Sequence, residues 1–161
     1  MSDPGEVLHE LRPTTATWTH VALRVADIDA SISWYERFTP LRLLEKRQDD
    51  LGFGAWLGQP ESVERPFILV LAQFLPATDP FKAYPQEVLA PFAHLGIELP
   101  TREALDEAAR GAGEAGCLAM APQQMPPPIG YVCMLSDPDG NMIEFSFDQG
   151  VYATARAVWG R

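Results

Sequence analysis

The sequence predicts an α+β fold of two βαβββ modules, because one order of strand, helix and three strands is written twice along the chain. Moving HVALRVADIDA forward by 94 − 20 = 74 residues lays it on HLGIELPTREA. Histidine meets histidine, apolar and charged positions follow in step, and alanine meets alanine where each helix begins. At the far end of each half, a shift of 144 − 73 = 71 lays LAQF on MIEF, so Gln73 meets Glu144 and Phe74 meets Phe145. A repeat at a nearly fixed offset specifies a duplicated supersecondary unit.

The elements justify themselves in order. Residues 1–16 are polar and interrupted by proline, with no sustained period, and read as a flexible extension in which His9 is solvated. TWTHVALRV alternates and is rich in β-branched residues, which predicts a strand. Asp27 or Asp29 then caps a helix, since a short carboxylate accepts hydrogen bonds from first-turn amides. Ile28, Ile32, Tyr35 and Phe38 share one face of that helix, and Pro40 stops it. LRLLEKRQ, FGAWLG and PFILVLAQF are strands separated by Asp, Gly and Pro turn signals. The first module spans residues 17–75, and the prolines of 76–91 predict an irregular connector with at most a helical turn.

The second module, residues 92–148, repeats the order. FAHLGIEL reads as a strand, Thr101 as a helix cap, and Leu105, Ala108, Ala109 and Ala112 as the apolar face of a helix that glycines end. CLAMAPQQ, YVCMLSDPDG and NMIEFSFD follow as strands, with DPDG turning between the last two. Together 17–148 form one domain. The tail, 149–161, reads as a helix or a cover, with Trp159 able to pack back on the body.

Composition narrows the class. With 161 residues, 47% hydrophobic and 21% charged, the chain can bury a sizeable core without metal or disulfides. No apolar run is long enough to span a bilayer, and the first residues lack the basic-then-apolar order of a signal peptide, so a cytoplasmic location is expected. A net charge of −10 argues against a nucleic-acid backbone as partner. Cys117 and Cys133 fit no paired-ligand spacing and read as small buried hydrophobes in a reducing compartment.

Chemistry follows from the repeat. Two such modules related by a pseudo-twofold axis bring equivalent residues toward one another, so His20, His94, Gln73 and Glu144 become the corners of one candidate site. Imidazole, carboxylate and amide oxygen all suit a divalent ion such as zinc, nickel, manganese, cobalt or iron. Side chains alternate along a strand, so Ala22 and Arg24 share the face of His20, and Gly96 and Glu98 that of His94. The small neighbours leave room for a ligand.

HVALRVADIDASISWY, FAHLGIEL and LSDPDGNMIEFSF resemble the opening strand and helix, the second opening strand and the closing hairpin of the vicinal oxygen chelate superfamily. That superfamily includes glyoxalase I, methylmalonyl-CoA epimerase, extradiol dioxygenases and the fosfomycin and bleomycin resistance proteins. The resemblance covers about residues 17–148. It implies a cup-shaped mixed sheet around one divalent metal held by His20, Gln73, His94 and Glu144, and a homodimer.

The activity this implies is a metal-dependent lyase or isomerase that stabilises an enolate on a small oxygen-chelating carbonyl substrate, with Glu144 as the base. Gln73 cannot take that part, because an amide does not titrate. Extradiol cleavage is disfavoured because only His9 remains as a further histidine, although Tyr131 could donate a proton; thiol transfer to a phosphonate is disfavoured because few basic groups beyond Arg24 lie near. The alternative is a metal-free binding or resistance protein, its pocket walled by Trp34, Trp56, Tyr131 and the PQQMPPPIG loop. Arg24 and Glu98 are expected to pair with each other.

Overall fold

A computed structural model describes residues 13–160; the expectation for His9 and for most of the N-terminal extension lies outside them. The first module runs β1 (His20–Arg24), α1 (Ile28–Phe38), β2 (Arg42–Gln48), β3 (Gly52–Gly58), a 3₁₀ turn (Pro60–Ser62) and β4 (Ile68–Phe74). The second runs β5 (His94–Glu98), α2 (Arg102–Glu114), β6 (Leu118–Gln124), β7 (Tyr131–Ser136) and β8 (Met142–Phe147), and a last helix, α3 (Val151–Trp159), follows. Among the described residues no helix is long and apolar enough to cross a membrane.

Each module is a four-stranded mixed sheet with its helix on one face. The orders are β1-β4-β3-β2 and β5-β8-β7-β6, with β1 parallel to β4, β5 parallel to β8 and the remaining pairs antiparallel. Leu57, Leu69 and Leu71 pack under α1, whose buried stripe is Ile28, Ser31, Ile32 and Tyr35; Leu135, Ile143 and Phe145 pack under Leu105, Ala109 and Ala112 of α2. Each such aliphatic or aromatic side chain contributes about 1.5–3 kcal/mol by leaving water. Of the two cap candidates Asp27 is the cap, accepting from the amides of Asp29 and Ala30, each at 3.0 Å. Thr101 caps α2 by accepting from Ala104 N at 3.1 Å. Helix α2 ends where Gly116 takes φ +75, a conformation that suits a residue without Cβ, and Cys117 N donates back to Ala112 O at 2.9 Å.

The DPDG turn does more than reverse the chain. Asp137 accepts from the hydroxyl of Tyr35 at 2.8 Å, and Asp139 accepts from Ala26 N at 2.8 Å, so the turn of the second module clamps α1 of the first. Burial first, and then Asp137, push the Tyr35 phenol well above its ordinary range. The connector adds a second tie: Leu89 N donates to Asn141 Oδ1 at 2.9 Å, and Met142 N donates to Leu89 O at 2.7 Å.

These ties leave the two sheets separate. β1 ends one sheet and β5 ends the other, and they are not hydrogen-bonded to each other. The faces of both sheets that are turned away from their helices stay open in the single chain at His20, Ala22 and Gly96. Both free cysteines are at or near the core, Cys133 fully buried and Cys117 half-buried. Helix α3 does form, but Trp159 is 80% exposed and does not pack back on the body.

Candidate functional site

The register decides which residues share a corner. In the second module His94 lies opposite Met142, and Gly96 opposite Glu144, so the glutamate stands diagonally across from the histidine on the same face. His94 Nε2 and Glu144 Oε2 are 3.7 Å apart. In the first module His20 lies opposite Ile68, and Ala22 opposite Val70. The residue that answers to Glu144 is therefore Val70, an aliphatic side chain with nothing to donate.

Gln73 is three residues further along β4, an odd number, and so points to the opposite face. There its Oε1 accepts from Ile28 N at 2.8 Å, which with Asp27 satisfies three of the unpaired amides at the start of α1. The shift of 71 residues that paired Gln73 with Glu144 is thus corrected to the 74 of the opening strands, since 144 − 74 = 70. Gln73 is a helix cap made from a neighbouring strand.

Of the four predicted corners the chain brings two together. His20 is exposed, with Nδ1 2.9 Å from Thr19 Oγ1, and among the described residues no three His, Cys, Asp or Glu side chains converge as a metal group. Both histidines lie on edge strands, β1 and β5.

The His94 and Glu144 pair is built as a ligand pair would be. His94 Nδ1 lies 2.6 Å from the Phe92 carbonyl, an acceptor only, so Nδ1 carries the proton. In the neutral ring Nε2 then presents a bare lone pair to a carboxylate oxygen. Two electron-rich atoms facing one another call for a cation or an added proton between them, and a backbone carbonyl on the distal nitrogen is the support a metal-ligating histidine has. Glu144 is 6% exposed, so its charge is little screened by water. The donor chemistry of the His94 and Glu144 pair fits a divalent ion.

The walls differ from expectation. Trp56 pairs with Val70 and is 38% exposed, so the first module offers an apolar open face of Trp56, Val70 and Ala22 beside His20. Met134 holds the corresponding place beside Glu144. Trp34 instead packs on Tyr35 and Phe38, with ring centroids at 5.0 and 5.3 Å. Tyr131 turns to the helix side, donating to Asp106 Oδ1 at 2.7 Å under the Arg102 guanidinium. That bond to Asp106 raises its phenol pKa.

Arg24 and Glu98 do not pair. Arg24 forms an ion pair with Asp79 of the connector, while Glu98 Oε1 accepts from Gln149 N at 3.1 Å. Gln149 also reaches Glu144, its Nε2 donating to Oε1 at 3.1 Å. Neither repeat nor motif marks Gln149; the one sequence signal is the adjoining Gly150, which has φ 74.

Comparison with known proteins agrees with this architecture. The model of the Glyoxalase/Bleomycin resistance protein/Dioxygenase superfamily matches residues 17–145. The uncharacterised protein PA2024 of Pseudomonas aeruginosa is 39% identical over 133 residues, 83% of this chain and 89% of that protein. Among solved structures, the glyoxylase/bleomycin resistance protein/dioxygenase domain from Frankia sp. EAN1pec has TM-score 0.63 at 20% identity, covering 83% of this chain and 98% of its own. The trypanothione-dependent glyoxalase I of Leishmania major has TM-score 0.60 at 21% identity, covering 89% and 94%. TnmS3, an antibiotic binding protein from Streptomyces sp. CB03234, has TM-score 0.59 at 20% identity, covering 84% and 98%. The chain, with its two βαβββ modules, belongs to the Glyoxalase/Bleomycin resistance protein/Dioxygenase superfamily.

Proposed function

We propose that this chain is a divalent-metal-dependent enzyme of lyase or isomerase type, acting on a small carbonyl substrate with adjacent oxygens, with His20, His94 and Glu144 as its metal ligands. The observation that carries the reading is the Nε2 of His94 facing Oε2 of Glu144 at 3.7 Å, with the other imidazole nitrogen already committed to a carbonyl. A divalent ion there supplies Lewis acidity to the substrate oxygens. The chain's own part is to exclude water from the Glu144 side, to orient the substrate against Trp56 and Val70, and to move one proton on Glu144 Oε2. Gln73 has no part in the centre, being spent on α1.

His20 joins the other two when edge strand β1 of one copy lies beside edge strand β5 of another, so the reading includes a homodimer with a shared site. Unpaired edges supply the backbone groups such an association needs. The test is elemental analysis of the purified protein: one divalent ion per site is expected, with loss in His94→Ala, and unchanged stoichiometry in that variant would sink the site. Co-expressed His20→Ala and His94→Ala chains distinguish the shared arrangement, because mixed dimers recover about half of the sites. Screening hemithioacetal, acyl-CoA and catechol substrates then assigns the reaction, with solvent-proton exchange beside the carbonyl lost in Glu144→Gln.

The second reading is a binding protein that uses the same open faces without chemistry. Val70 in the place of a fourth ligand, with Trp56 beside it, favours that reading. Retention of an aromatic ligand by metal-free protein would support it.

A further inference from the structure

The chain leaves β8 through an unusual reversal. Asp148 has φ 58 and Gly150 φ 74, both left-handed, and Gln149 sits between them. Asp148 is the single described residue other than glycine with positive φ, a conformation that costs free energy and persists only where its surroundings fix it. Its effect is to fold Gln149 back along the strand it has just left. The backbone amide of Gln149 donates to Glu98 Oε1 at 3.1 Å, and its side-chain amide donates to Glu144 Oε1 at 3.1 Å. A carboxylate accepts only, so the amide is oriented with Nε2 toward it.

Glu144 is thereby divided into two oxygens with different work. Oε1 is held by Gln149, and Oε2 is left facing His94 at 3.7 Å. On its other side Gln149 lines a hollow of about 280 Å³ with Gln124, Pro127, Pro128 and Asp148, which adjoins an apolar groove of about 330 Å³ under Val158 and Trp159 of α3.

We infer that Gln149 is a positioning residue for Glu144: its left-handed setting and amide donation fix the carboxylate so that Oε2 alone is presented to the cation or proton shared with His94. The inference deepens the metal reading, yet the geometry it asserts exists without metal.

Two measurements on the full chain keep those apart. In metal-free protein the side-chain NH₂ resonances of Gln149 are expected downfield and slowly exchanging, to collapse to free-amide values in Glu144→Ala, and to stay in place in His94→Ala. Resonances indifferent to Glu144→Ala would overturn the inference, whether or not the protein binds metal. Cobalt(II) titration supplies the second readout. Gln149→Met, which keeps the length and removes the donor, is expected to weaken cobalt binding about 10- to 100-fold and to shift the visible absorption bands as both glutamate oxygens become free. If the wild type gives a cobalt spectrum that Gln149→Met leaves unaltered in position and midpoint, the metal reading survives and the inference fails. If the wild type takes up no cobalt, the metal reading fails and the amide resonances decide the inference alone.

Discussion

The two modules share a register and differ in chemistry. On the second, His94, Glu144 and Met134 stand together on the open face; on the first, the same three places hold His20, Val70 and Trp56. Duplication has kept what the backbone requires, the strand order, the cap at each helix and the buried apolar stripe. It has not kept the carboxylate. One half carries a histidine and carboxylate pair, the other a histidine over an apolar floor.

The most severe way to break the comparison is to remove the carboxylate. Glu144→Gln is expected to lower divalent-metal affinity by at least about 100-fold, read by titration, because it takes a charge from a centre with few ligands. The converse substitution sharpens it. Val70→Glu puts a carboxylate where the repeat calls for one, on the open face beside Trp56, and is expected to tighten metal binding about tenfold with little loss of stability. An unchanged midpoint would show that Val70 does not face the centre.

Much of this was legible beforehand, and the failure is instructive. The 3.6-residue stripe of Ile28, Ile32 and Tyr35, and Asp27 and Thr101 ahead of their helices, follow from spacing and capping chemistry. His94 and Glu144 were singled out by the repeat and the resemblance, and the parallel pairing of β5 with β8 puts the two on one face. Gln73 misled because LAQF and MIEF match at a single identical residue, Phe, and a strand slipped by three residues turns every side chain to the other face. Carrying the opening offset of 74 to the last strand points to Val70. Gln149 was not legible, since its placement comes from two left-handed residues rather than from a period. Nor was the role of DPDG between modules, which depends on Tyr35 arriving from the other half of the chain.

Smaller effects probe the parts that hold the halves together. Tyr35→Phe leaves Asp137 short of one buried donor and is expected to cost about 1–3 kcal/mol in denaturant unfolding, with metal binding intact. Alkali tests the second module's core. Burial pushes the Cys133 thiol from 9.0 up to about 11, so the unfolded chain releases this proton first. Stability is therefore whole below pH 9 and declines as pH rises through 11, by on the order of 2 kcal/mol; Tyr35, raised further still, adds to the fall at higher pH. Cys133→Ala is expected to flatten the pH 9–11 portion of that curve.

Gln73→Leu set beside Glu144→Gln tests the central claim most directly, with metal stoichiometry measured for both. If the open face of the second module carries the centre and Gln73 caps α1, Gln73→Leu keeps its full complement of divalent ion while losing about 1 kcal/mol of stability, and Glu144→Gln loses the ion. Loss of metal from Gln73→Leu, or its retention by Glu144→Gln, would contradict the account.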